Sequence, residues 1–319
     1  MASPLNICVL GGTGFVGTEL VTRLVRQGHW VRVPTRAAGH GQHLRVLSTV
    51  ELITANVHES RTLGQLLAGM DVVINLIGVL NQSGRATFQS AHADLAAKLT
   101  AAARGARIRR LLQMSALGAD RENGPSRYLR SKGEAETLIR AAGANLDFTI
   151  FRPSVIFGPR DSLTNRFAAL LRLPGALLPL ARSQARFAPV YVGDVADAFV
   201  RALDDRATFG GTYELCGPEI LTLEQIVRMS AAVAQLPCRI LRLPDMLGAL
   251  QAAVLGLLPG KPFSVDNFRS LGVDGICKQD GLARLGITPR HMMAVLPFYL
   301  GPFVGPIELE AARRTNDYY

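Results

Sequence analysis

The sequence predicts an α/β protein built on a doubly wound parallel sheet with a smaller, interleaved C-terminal domain. In the first half of the chain, short and continuously apolar segments alternate with segments of helical periodicity. Such strands are buried on both faces, so helices must cover each side of a parallel sheet. A glycine-rich stretch, GGTGFVG at residues 11–17, stands between the first strand and the first helix. After residue 158 the connections become longer and rich in proline and leucine, which indicates the second domain.

The predicted elements follow from local composition, in chain order. Residues 6–10 form an apolar run that ends at glycine, and further strands are predicted at 30–33, 52–54, 72–76, 111–114 and 148–151. Residues 18–27 predict an amphipathic helix that ends at Gly28, and residues 90–103 predict an alanine-rich helix. Another helix is predicted over about residues 126–142, before Gly143. Residues 192–203 and 212–216 predict a helix and a strand that return to the sheet.

These returns predict an interleaved division of the chain. Residues 1–158 and 189–218 form the larger domain in this interpretation, and residues 159–188 and 219–319 form the smaller, substrate- or partner-binding one. In the smaller domain, residues 245–259 (DMLGALQAAVLGLLP) have only Gln251 as a polar interruption after Asp245. The segment is too short to cross a bilayer, which needs about 20 apolar residues. It predicts either a buried helix or a helix that docks on a membrane or a partner protein.

Composition excludes several classes of protein. A chain of 319 residues with 48% hydrophobic residues can bury a sizeable core. The net charge of +10 comes almost entirely from scattered arginines, so nucleic-acid binding is not expected. The four cysteines include no CxxC pair, so we expect free thiols, no disulfide framework and no metal site. The N-terminus has no basic leader before an apolar stretch, so we expect no cleaved signal segment and a cytoplasmic protein.

The glycine-rich stretch predicts a dinucleotide-binding turn of the Rossmann type, because it follows a strand and opens a helix. Gly11 allows the tight turn, Gly14 lets the backbone approach a pyrophosphate, and Gly17 allows close packing of the helix. The phosphates then lie at the helix N-terminus, where backbone N–H groups and the positive end of the helix dipole face them. The alternative is a glycine-rich turn that binds no ligand.

The end of the second strand indicates which dinucleotide is preferred. NAD-binding sites of this type place Asp or Glu about 20 residues after the glycines, where it binds the ribose hydroxyls. Here the stretch reads VPTRAAGH, and the next carboxylate is Glu51. Arg36 stands instead where the 2′-phosphate of NADP would lie, and a guanidinium suits bidentate binding of phosphate. We therefore expect NADP(H) to be preferred over NAD(H), unless Arg36 is only a surface charge.

Tyr128 and Lys132 form a YxxxK element on the predicted helix 126–142. Residues four apart share one face of a helix, so the phenol and the ammonium group are expected to point into the same cleft. The cation is expected to lower the pKa of the tyrosine from about 10 toward neutral pH. Such a tyrosine exchanges a proton with a substrate while hydride moves to or from nicotinamide. Ser115, which ends the strand before this helix, is expected to hydrogen-bond a substrate carbonyl; alternatively it is an ordinary serine at a strand end.

Taken together, these motifs resemble the extended or atypical branch of the short-chain dehydrogenase/reductase superfamily. NLIG at 75–78, RPSVIFGP at 152–159 and PVYVGDVADA at 189–198 are similar to further motifs of that superfamily. MSALGAD, RYLRSKGEAE, LPGKPFSVDNFRSLGVD and LGITP resemble more specifically the bacterial relatives of the 39-kDa accessory subunit of respiratory complex I, of the NAD-dependent epimerase/dehydratase type. The resemblance runs nearly from end to end of the chain.

The resemblance implies a set of cofactor-binding residues. In this family the glycine turn binds the pyrophosphate, Arg36 would bind the 2′-phosphate, and the residues after the fourth strand bind the middle of the cofactor. Lys132 holds the nicotinamide ribose, and Pro153 lies near the carboxamide. The family often has Asp after the third strand where this chain has Asn56, so the contact with adenine is weaker here. The turn residues are Gly11, Thr13, Gly14, Phe15, Val16 and Gly17, and the middle residues are Leu76, Ile77 and Gly78.

The functions that remain share a bound nicotinamide dinucleotide. The leading interpretation is an NADP(H)-dependent oxidoreductase-like protein, linked to respiratory complex I or to quinone metabolism, with an apolar small-molecule substrate. Contact with a membrane complex or with the inner membrane surface is a further expectation. One alternative is a non-catalytic structural or assembly factor that NADP(H) stabilises by mass action. Another is a sugar-nucleotide epimerase or dehydratase, which uses the same three side chains.

Overall fold

A seven-stranded parallel sheet forms the centre of the protein. The computed structural model describes residues 3–37, 39–82, 87–143, 146–173, 175, 177–258 and 261–301. The strands are β1 (Asn6–Leu10), β2 (Trp30–Thr35), β3 (Val50–Thr54), β4 (Val72–Asn75), β5 (Arg110–Met114), β6 (Asp147–Pro153), β7 (Ile156–Phe157), β8 (Leu177–Ala181), β9 (Arg186–Phe187), β10 (Val190–Tyr191), β11 (Gly211–Leu215), β12 (Leu221–Thr222) and β13 (Arg239–Leu243). The order in the sheet is β11-β6-β5-β4-β1-β2-β3, and every neighbouring pair is parallel. The order 3-2-1-4-5-6 is that of the Rossmann fold, so the predicted fold class is confirmed.

Helices connect these strands, as parallel neighbours require. They are α1 (Phe15–Arg26), α2 (Ser60–Leu67), α3 (Leu95–Gly105), α4 (Arg127–Ala142), α5 (Thr164–Leu171), α6 (Val192–Arg201), α7 (Leu223–Val233), α8 (Asp245–Leu255), α9 (Val265–Ser270), α10 (Gly281–Arg284), α11 (Met292–Val295) and α12 (Pro297–Leu300). A π-helical turn, Gln89–Asp94, leads into α3. Helix α4 begins after Ser126, whose side chain accepts a hydrogen bond from Leu129 N at 3.1 Å, and it ends at Gly143.

The apolar strands are buried because helices cover both faces of the sheet. Side chains of β1, β4 and β5 join those of α2, α3 and α4 in one core cluster, which includes Leu10, Leu67, Val73, Leu99 and Ile139. The alternation of such strands with helices therefore has the physical consequence expected from the sequence, a core between the sheet and the helices that pack on it.

The chain divides into two compact units. The first comprises Met1–Pro153, Gly193–Leu215 and Cys277–Thr288, and the second comprises Ser154–Val192, Cys216–Ile276 and Pro289–Tyr319. The first unit contains the seven-stranded sheet, together with α10, which no sequence motif indicated. Helix α10 lies so close to β11 that a Cβ on Gly281 would be 2.3 Å from the carbonyl oxygen of Glu214, so only glycine fits there.

The second unit is built from short elements. Its two-stranded sheets pair β7 with β10, β9 with β12, and β8 with β13. Helix α7 begins with a capping box formed by Thr222 and Gln225, and its apolar face contributes Ile226 to a core with Phe157 and Leu296. None of the helices within the described residues is both long and apolar enough to cross a membrane.

The cysteines differ from the sequence-based expectation. Cys8 and Cys238 are free thiols, but Cys216 and Cys277 are disulfide-bonded. The expectation of free thiols is therefore wrong for these two. A long separation in the sequence does not oppose a disulfide, because its formation depends on the distance between the Cα atoms in the folded chain.

A buried arginine connects three segments of the first unit. Arg110, at the start of β5, is 3% exposed, and its guanidinium donates to the carbonyl oxygen of Ala202 at 2.8 Å. It also donates to the hydroxyl oxygens of Thr149 (2.6 Å) and Thr208 (2.7 Å), and it lies 4.2 Å from the ring centroid of Phe209. Burial lowers its pKa to about 10, so the group stays charged at neutral pH.

We expect Arg110→Ala to lower the free energy of unfolding by about 3 kcal/mol, because the variant leaves a cavity and a buried carbonyl acceptor without its donor. Urea titration measures this loss. Arg109→Ala is the matched control. Arg109 is exposed and directly precedes β5, so its removal should change the stability by less than about 0.5 kcal/mol. Equal effects of the two substitutions would contradict the structural role of Arg110.

Candidate functional site

The candidate site lies along the carboxyl edge of the parallel sheet, where the strands of a doubly wound fold present their ligand-binding loops. Every residue that the sequence analysis selected follows or ends one of these strands, or lies on α4, which follows β5. The glycine turn follows β1, Arg36 follows β2, Asn56 follows β3, Leu76, Ile77 and Gly78 follow β4, Ser115 follows β5, and Pro153 ends β6. The fold therefore brings six separate segments to one edge.

The glycine turn has the backbone geometry that a diphosphate requires. Gly11 has a φ of +82°, which favours glycine, and its carbonyl oxygen accepts a hydrogen bond from Gly14 N at 3.0 Å. A Cβ on Gly17 would lie 2.3 Å from the same carbonyl oxygen, so α1 can approach the turn only with glycine there. Gly14 precedes α1 and is exposed, and no side chain caps the helix among the described residues. The first N–H groups of α1 are thus available to an anion.

Two glycines that the sequence analysis did not select also shape this turn. A Cβ on Gly12 would lie 2.8 Å from the side chain of Val33, so the turn packs directly against β2. Gly41 has a φ of +83°, and a Cβ there would lie 2.5 Å from Cγ2 of Thr13. Phe15 and Val16, the first residues of α1, are half-buried. The doubled glycine of GGTG was the only signal in the sequence that pointed to Gly12.

Arg36 is exposed immediately after β2. Its side chain makes no hydrogen bond or ion pair with any residue that the structure describes, although it is close enough to His58 to help lower the pKa of that imidazole, after burial and Lys98. The nearest carboxylate in the sequence, that of Glu51, is bound to Arg32 at 2.7 Å. The end of β2 therefore presents an unpaired cation rather than a carboxylate.

Asn56 has a local role. Its side-chain nitrogen donates to Oε1 of Glu59 at 2.8 Å, and its side-chain oxygen accepts from the backbone N–H of His58 at 3.1 Å. These bonds shape the turn before α2. A primary amide has a second N–H group and a second lone pair, so these bonds are compatible with a contact between the Asn56 amide and an adenine ring.

The segment after β4 is held close to Lys132. The backbone N–H of Leu76 donates to the carbonyl oxygen of Leu10 at 2.9 Å, and that of Ile77 donates to Oδ1 of Asn75 at 3.2 Å. A Cβ on Gly78 would lie 3.2 Å from Nζ of Lys132, so glycine allows the ammonium group to approach the backbone. The structure thus brings together Gly78 and Lys132, which are 54 positions apart in the sequence.

His92, in the π-helical turn, is a site residue that the sequence analysis missed. It is 3% exposed, and its Nε2 accepts a hydrogen bond from the backbone N–H of Val79 at 3.2 Å. Its Nδ1 lies 2.8 Å from Oγ of Ser131, whose own proton goes to the carbonyl oxygen of Tyr128 at 2.8 Å. Nδ1 must therefore carry the imidazole proton and donate it to Ser131. Burial, aided by the positive charge of Lys132, lowers the pKa of His92 to about 2, so the ring is neutral.

These contacts also position Tyr128. The rings of His92 and Tyr128 meet edge to face with centroids 5.5 Å apart, and Phe88 adds a second edge contact at 6.0 Å. Burial raises the pKa of Tyr128 to about 12. The expectation that Lys132 lowers this pKa is therefore wrong for this conformation, because the pKa follows the loss of water around the phenol and not the charge of Lys132.

Lys132 is buried, with 2% of its surface exposed. Its ammonium group donates to the carbonyl oxygen of Met114 at 3.1 Å. Burial lowers its pKa to about 8, and the negative charge of Glu136, one helical turn later, opposes this shift. The lysine therefore remains mainly protonated at neutral pH and presents a positive charge at the edge of the sheet.

Ser115 is hydrogen-bonded to a carboxylate in this conformation. Its hydroxyl donates to Oε1 of Glu136 at 2.6 Å, and both residues are 3% exposed. Because a hydroxyl has a single proton, Ser115 cannot at the same time donate to a substrate carbonyl. The expected contact with a substrate carbonyl would need this bond to be exchanged, and it stays a prediction. No local feature of the sequence indicated that a carboxylate would compete for the serine.

Glu136 connects three elements of the first unit. Arg152 of β6 binds it in a bidentate manner, with Nε 2.8 Å from Oε1 and Nη2 2.6 Å from Oε2. Arg140, one turn later on α4, adds a contact at 3.2 Å. The only sequence signal for Glu136 was its position four residues after Lys132, on the same face of the helix. Pro153, next to Arg152, accepts a hydrogen bond from Leu117 N at 3.0 Å through its carbonyl oxygen.

Comparison with known protein families and structures adds independent information. Residues 7–216 match the model of the family described as "NAD dependent epimerase/dehydratase family". The chain is 32% identical over 275 residues to NADH dehydrogenase [ubiquinone] 1 alpha subcomplex subunit 9, mitochondrial, of Arabidopsis thaliana, an alignment that covers 84% of this chain and 68% of that protein. It is 33% identical over 252 residues to a ceramide reductase of Caulobacter vibrioides, with 78% and 76% of the two chains covered.

Among solved structures, the NADPH-dependent quinone oxidoreductase QOR2 of Escherichia coli, complexed with NADPH, has a similar fold. The TM-score is 0.71 at 16% identity, and the match covers 91% of this chain and 98% of the other. At this level of identity the likeness concerns the fold alone. That fold is one that binds a nicotinamide dinucleotide at the carboxyl edge of its sheet.

The buried neutral His92 makes a prediction about acid stability. Its pKa is lowered from 6.5 to about 2 in the folded protein, so below about pH 6.5 the unfolded chain binds a proton that the folded chain does not. Its contribution to stability is complete above pH 6.5 and falls as the pH decreases, by up to about 1.4 kcal/mol per pH unit. We expect His92→Gln, which keeps a donor and an acceptor, to show a shallower loss of stability between pH 6 and pH 5 than the wild type.

Urea titrations at the two pH values measure the difference. His40→Gln is the control, because His40 is exposed and its substitution should leave the slope unchanged. A slope for His92→Gln as steep as that of the wild type would show that His92 is not the neutral, buried group described above.

Proposed function

The chain belongs to the NAD dependent epimerase/dehydratase family, and from this premise we propose that it is an NADP(H)-dependent oxidoreductase that reduces an apolar carbonyl or quinone-type substrate at a membrane. The observation that carries the proposal is the composition of the sheet edge. The glycine turn offers backbone N–H groups to a diphosphate, Arg36 offers an unpaired guanidinium after β2, and Lys132 lies beside Gly78.

The preference for NADP(H) is supported by Arg36. A guanidinium forms bidentate hydrogen bonds with a phosphate, whereas NAD-binding sites usually have a carboxylate for the ribose hydroxyls at this place. Glu51, the nearest carboxylate in the sequence, is held by Arg32. The likeness to the NADPH complex of QOR2 does not bear on the preference, because at 16% identity it concerns only the fold.

The protonation states of the site favour reduction. A bound NADPH supplies hydride. Tyr128, with a pKa of about 12, carries its proton at neutral pH and can donate it to the oxygen of a carbonyl that receives the hydride at carbon. Lys132, with a pKa of about 8, contributes a positive charge next to the segment after β4, where it can bind ribose hydroxyls. His92 stays neutral and fixes the ring of Tyr128.

The names of the relatives support an apolar substrate and a membrane location. One relative is named for the reduction of ceramide, an apolar lipid, and the other is a subunit named for an NADH dehydrogenase that uses ubiquinone. Each of these names contains that of an apolar molecule, ceramide or ubiquinone. For this chain, we infer a substrate of that class and a peripheral position at a membrane, with the first unit supplying the cofactor chemistry.

A second candidate function is a non-catalytic one, in which NADP(H) stabilises a protein that acts as a structural or assembly factor. The hydrogen bond from Ser115 to Glu136 favours it, because the site then has one proton donor fewer for a substrate oxygen. Under this alternative the cofactor still binds, but the Tyr128 hydroxyl has no function in turnover.

Arg36→Gln tests the cofactor preference. A charge-assisted contact with phosphate contributes about 1.5 to 3 kcal/mol, so we expect the variant to bind NADPH roughly 10- to 100-fold more weakly while its affinity for NADH is unchanged. Isothermal titration calorimetry measures both constants. Arg45→Gln is the matched control, since Arg45 is exposed on the following segment and should have no effect. Equal affinity of the wild type for the two dinucleotides would contradict the proposal.

Tyr128→Phe separates the two candidate functions. If the protein is a reductase, loss of the general acid should lower kcat by about 100-fold or more while the Kd for NADPH stays the same. The assay follows NADPH oxidation with a short-chain ubiquinone and with a long-chain ketone. Phe298→Leu, an exposed conservative change, is the control. Wild-type protein that binds NADPH without any turnover would favour the structural role, and turnover that does not depend on Tyr128 would contradict its assignment as the general acid.

A further inference from the structure

Helix α8 is apolar around most of its circumference and yet lies at the surface of the second unit. Only Gly248 and Ala252 are buried within it. Met246, Leu250 and Val254, at intervals of four residues, are 80%, 60% and 54% exposed among the described residues. Leu257, just after the helix, is 86% exposed. A helix with this composition is ordinarily buried in a core or in a membrane, so its exposure requires an explanation.

The small buried face of α8 fixes the orientation of the exposed one. A Cβ on Gly248 would lie 2.9 Å from Cβ of Ala181, so the helix approaches β8 closely. The side-chain nitrogen of Gln251 donates to the carbonyl oxygen of Pro179 at 2.8 Å. At the start of the helix, Asp245 forms an ion pair with Arg182 at 3.0 Å. These three contacts hold the opposite, apolar face outward.

The apolar face continues onto the neighbouring two-stranded sheet. In this sheet Leu177 lies opposite Arg239, and Pro179 lies opposite Leu241. Alternate residues of a strand share one face, so Leu177 and Leu241 belong to the face of Pro179 and Ala181, on which α8 packs. They are 56% and 48% exposed. We call the surface formed by Met246, Leu250, Val254, Leu257, Leu177 and Leu241 the α8 surface.

Positive charge borders the α8 surface. Arg239 is exposed opposite Leu177, and Arg172 is exposed in the segment that leads into β8. Neither side chain forms a hydrogen bond or an ion pair within the parts of the chain that the structure describes. Arg242, on the same strand as Arg239, is by contrast held by Glu224 at 2.7 Å. Arg172 and Arg239 are therefore the cations that this part of the chain offers to an anionic partner.

We propose that the α8 surface docks on the interface of an anionic lipid bilayer. An apolar face of this kind enters the boundary between headgroups and acyl chains, to a depth of about 5 to 10 Å, and neighbouring arginines are attracted to anionic headgroups. A partner protein would have to present acidic side chains opposite Arg172 and Arg239, whereas anionic headgroups supply negative charge along the whole border of the surface. This inference rests on the membrane location in the proposed function and names the surface that would make the contact. It is independent of the cofactor preference, because the α8 surface contains no residue assigned to the cofactor.

Vesicle co-sedimentation of the full chain tests the proposal. We expect binding to phosphatidylcholine vesicles that contain about 30% phosphatidylglycerol, and roughly tenfold weaker binding to phosphatidylcholine alone. Two variants remove the two components of the surface. Met246→Ser/Leu250→Ser/Val254→Ser should weaken binding about tenfold or more, and Arg172→Gln/Arg239→Gln should weaken it about tenfold on the anionic vesicles only.

The matched control is Val46→Ser/Ile220→Ser/Met293→Ser, which removes three exposed apolar side chains outside the α8 surface and should bind vesicles like the wild type. Binding of NADPH, measured on the same samples, should be equal in all variants, so a failure of the cofactor proposal is seen separately. The proposal is overturned if the wild type does not bind anionic vesicles, or if the first triple variant binds them equally well. It is also overturned if sedimentation shows a wild-type dimer that this variant dissociates, since a second copy then covers the surface.

Discussion

The burial of one ammonium group, that of Lys132, determines much of the chemistry at the edge of the sheet. Its charge is kept with little solvent contact by the carbonyl oxygen of Met114 and by the field of Glu136 one turn away. Burial first, and this cation second, lower the pKa of His92, which is therefore a neutral hydrogen-bonding group and not a second positive charge. It also requires that the backbone at Gly78 has no side chain in its way. Burial thus sets the protonation states of Lys132, His92 and Tyr128, and the charge of Lys132 adds to its effect on His92.

Glu136 is the complement of this cation. A buried carboxylate needs hydrogen bonds on most sides, and it obtains them from Ser115 on one side and from Arg152 on the other. This network connects β5, α4 and β6 and so stabilises the edge of the sheet. While the Ser115 hydroxyl donates to Glu136, it cannot donate to a substrate oxygen, and the proton for that oxygen would then come from Tyr128. One hydroxyl group can therefore serve either the network around Glu136 or a substrate.

The two units carry different kinds of surface. The first presents backbone N–H groups, Arg36 and Lys132, all of which suit an anionic cofactor. The second presents the α8 surface, with apolar side chains and unpaired arginines at its border. Polar and apolar recognition are thus built from different segments of one chain, so each can be altered by substitution and measured without the other.

The sequence by itself determined the fold class and the position of the glycine turn, because periodicity, apolar strands and glycine spacing are local properties of the chain. It also placed Arg36, Tyr128 and Lys132 at the ends or on the faces of the correct elements. Only the tertiary structure decided which groups meet: the partner of Ser115, the tautomer of His92 and the raised pKa of Tyr128 depend on contacts between distant segments and on the loss of water. The same holds for α8, whose composition allowed a buried or a docking helix, and whose exposure follows from how little of it the second unit covers.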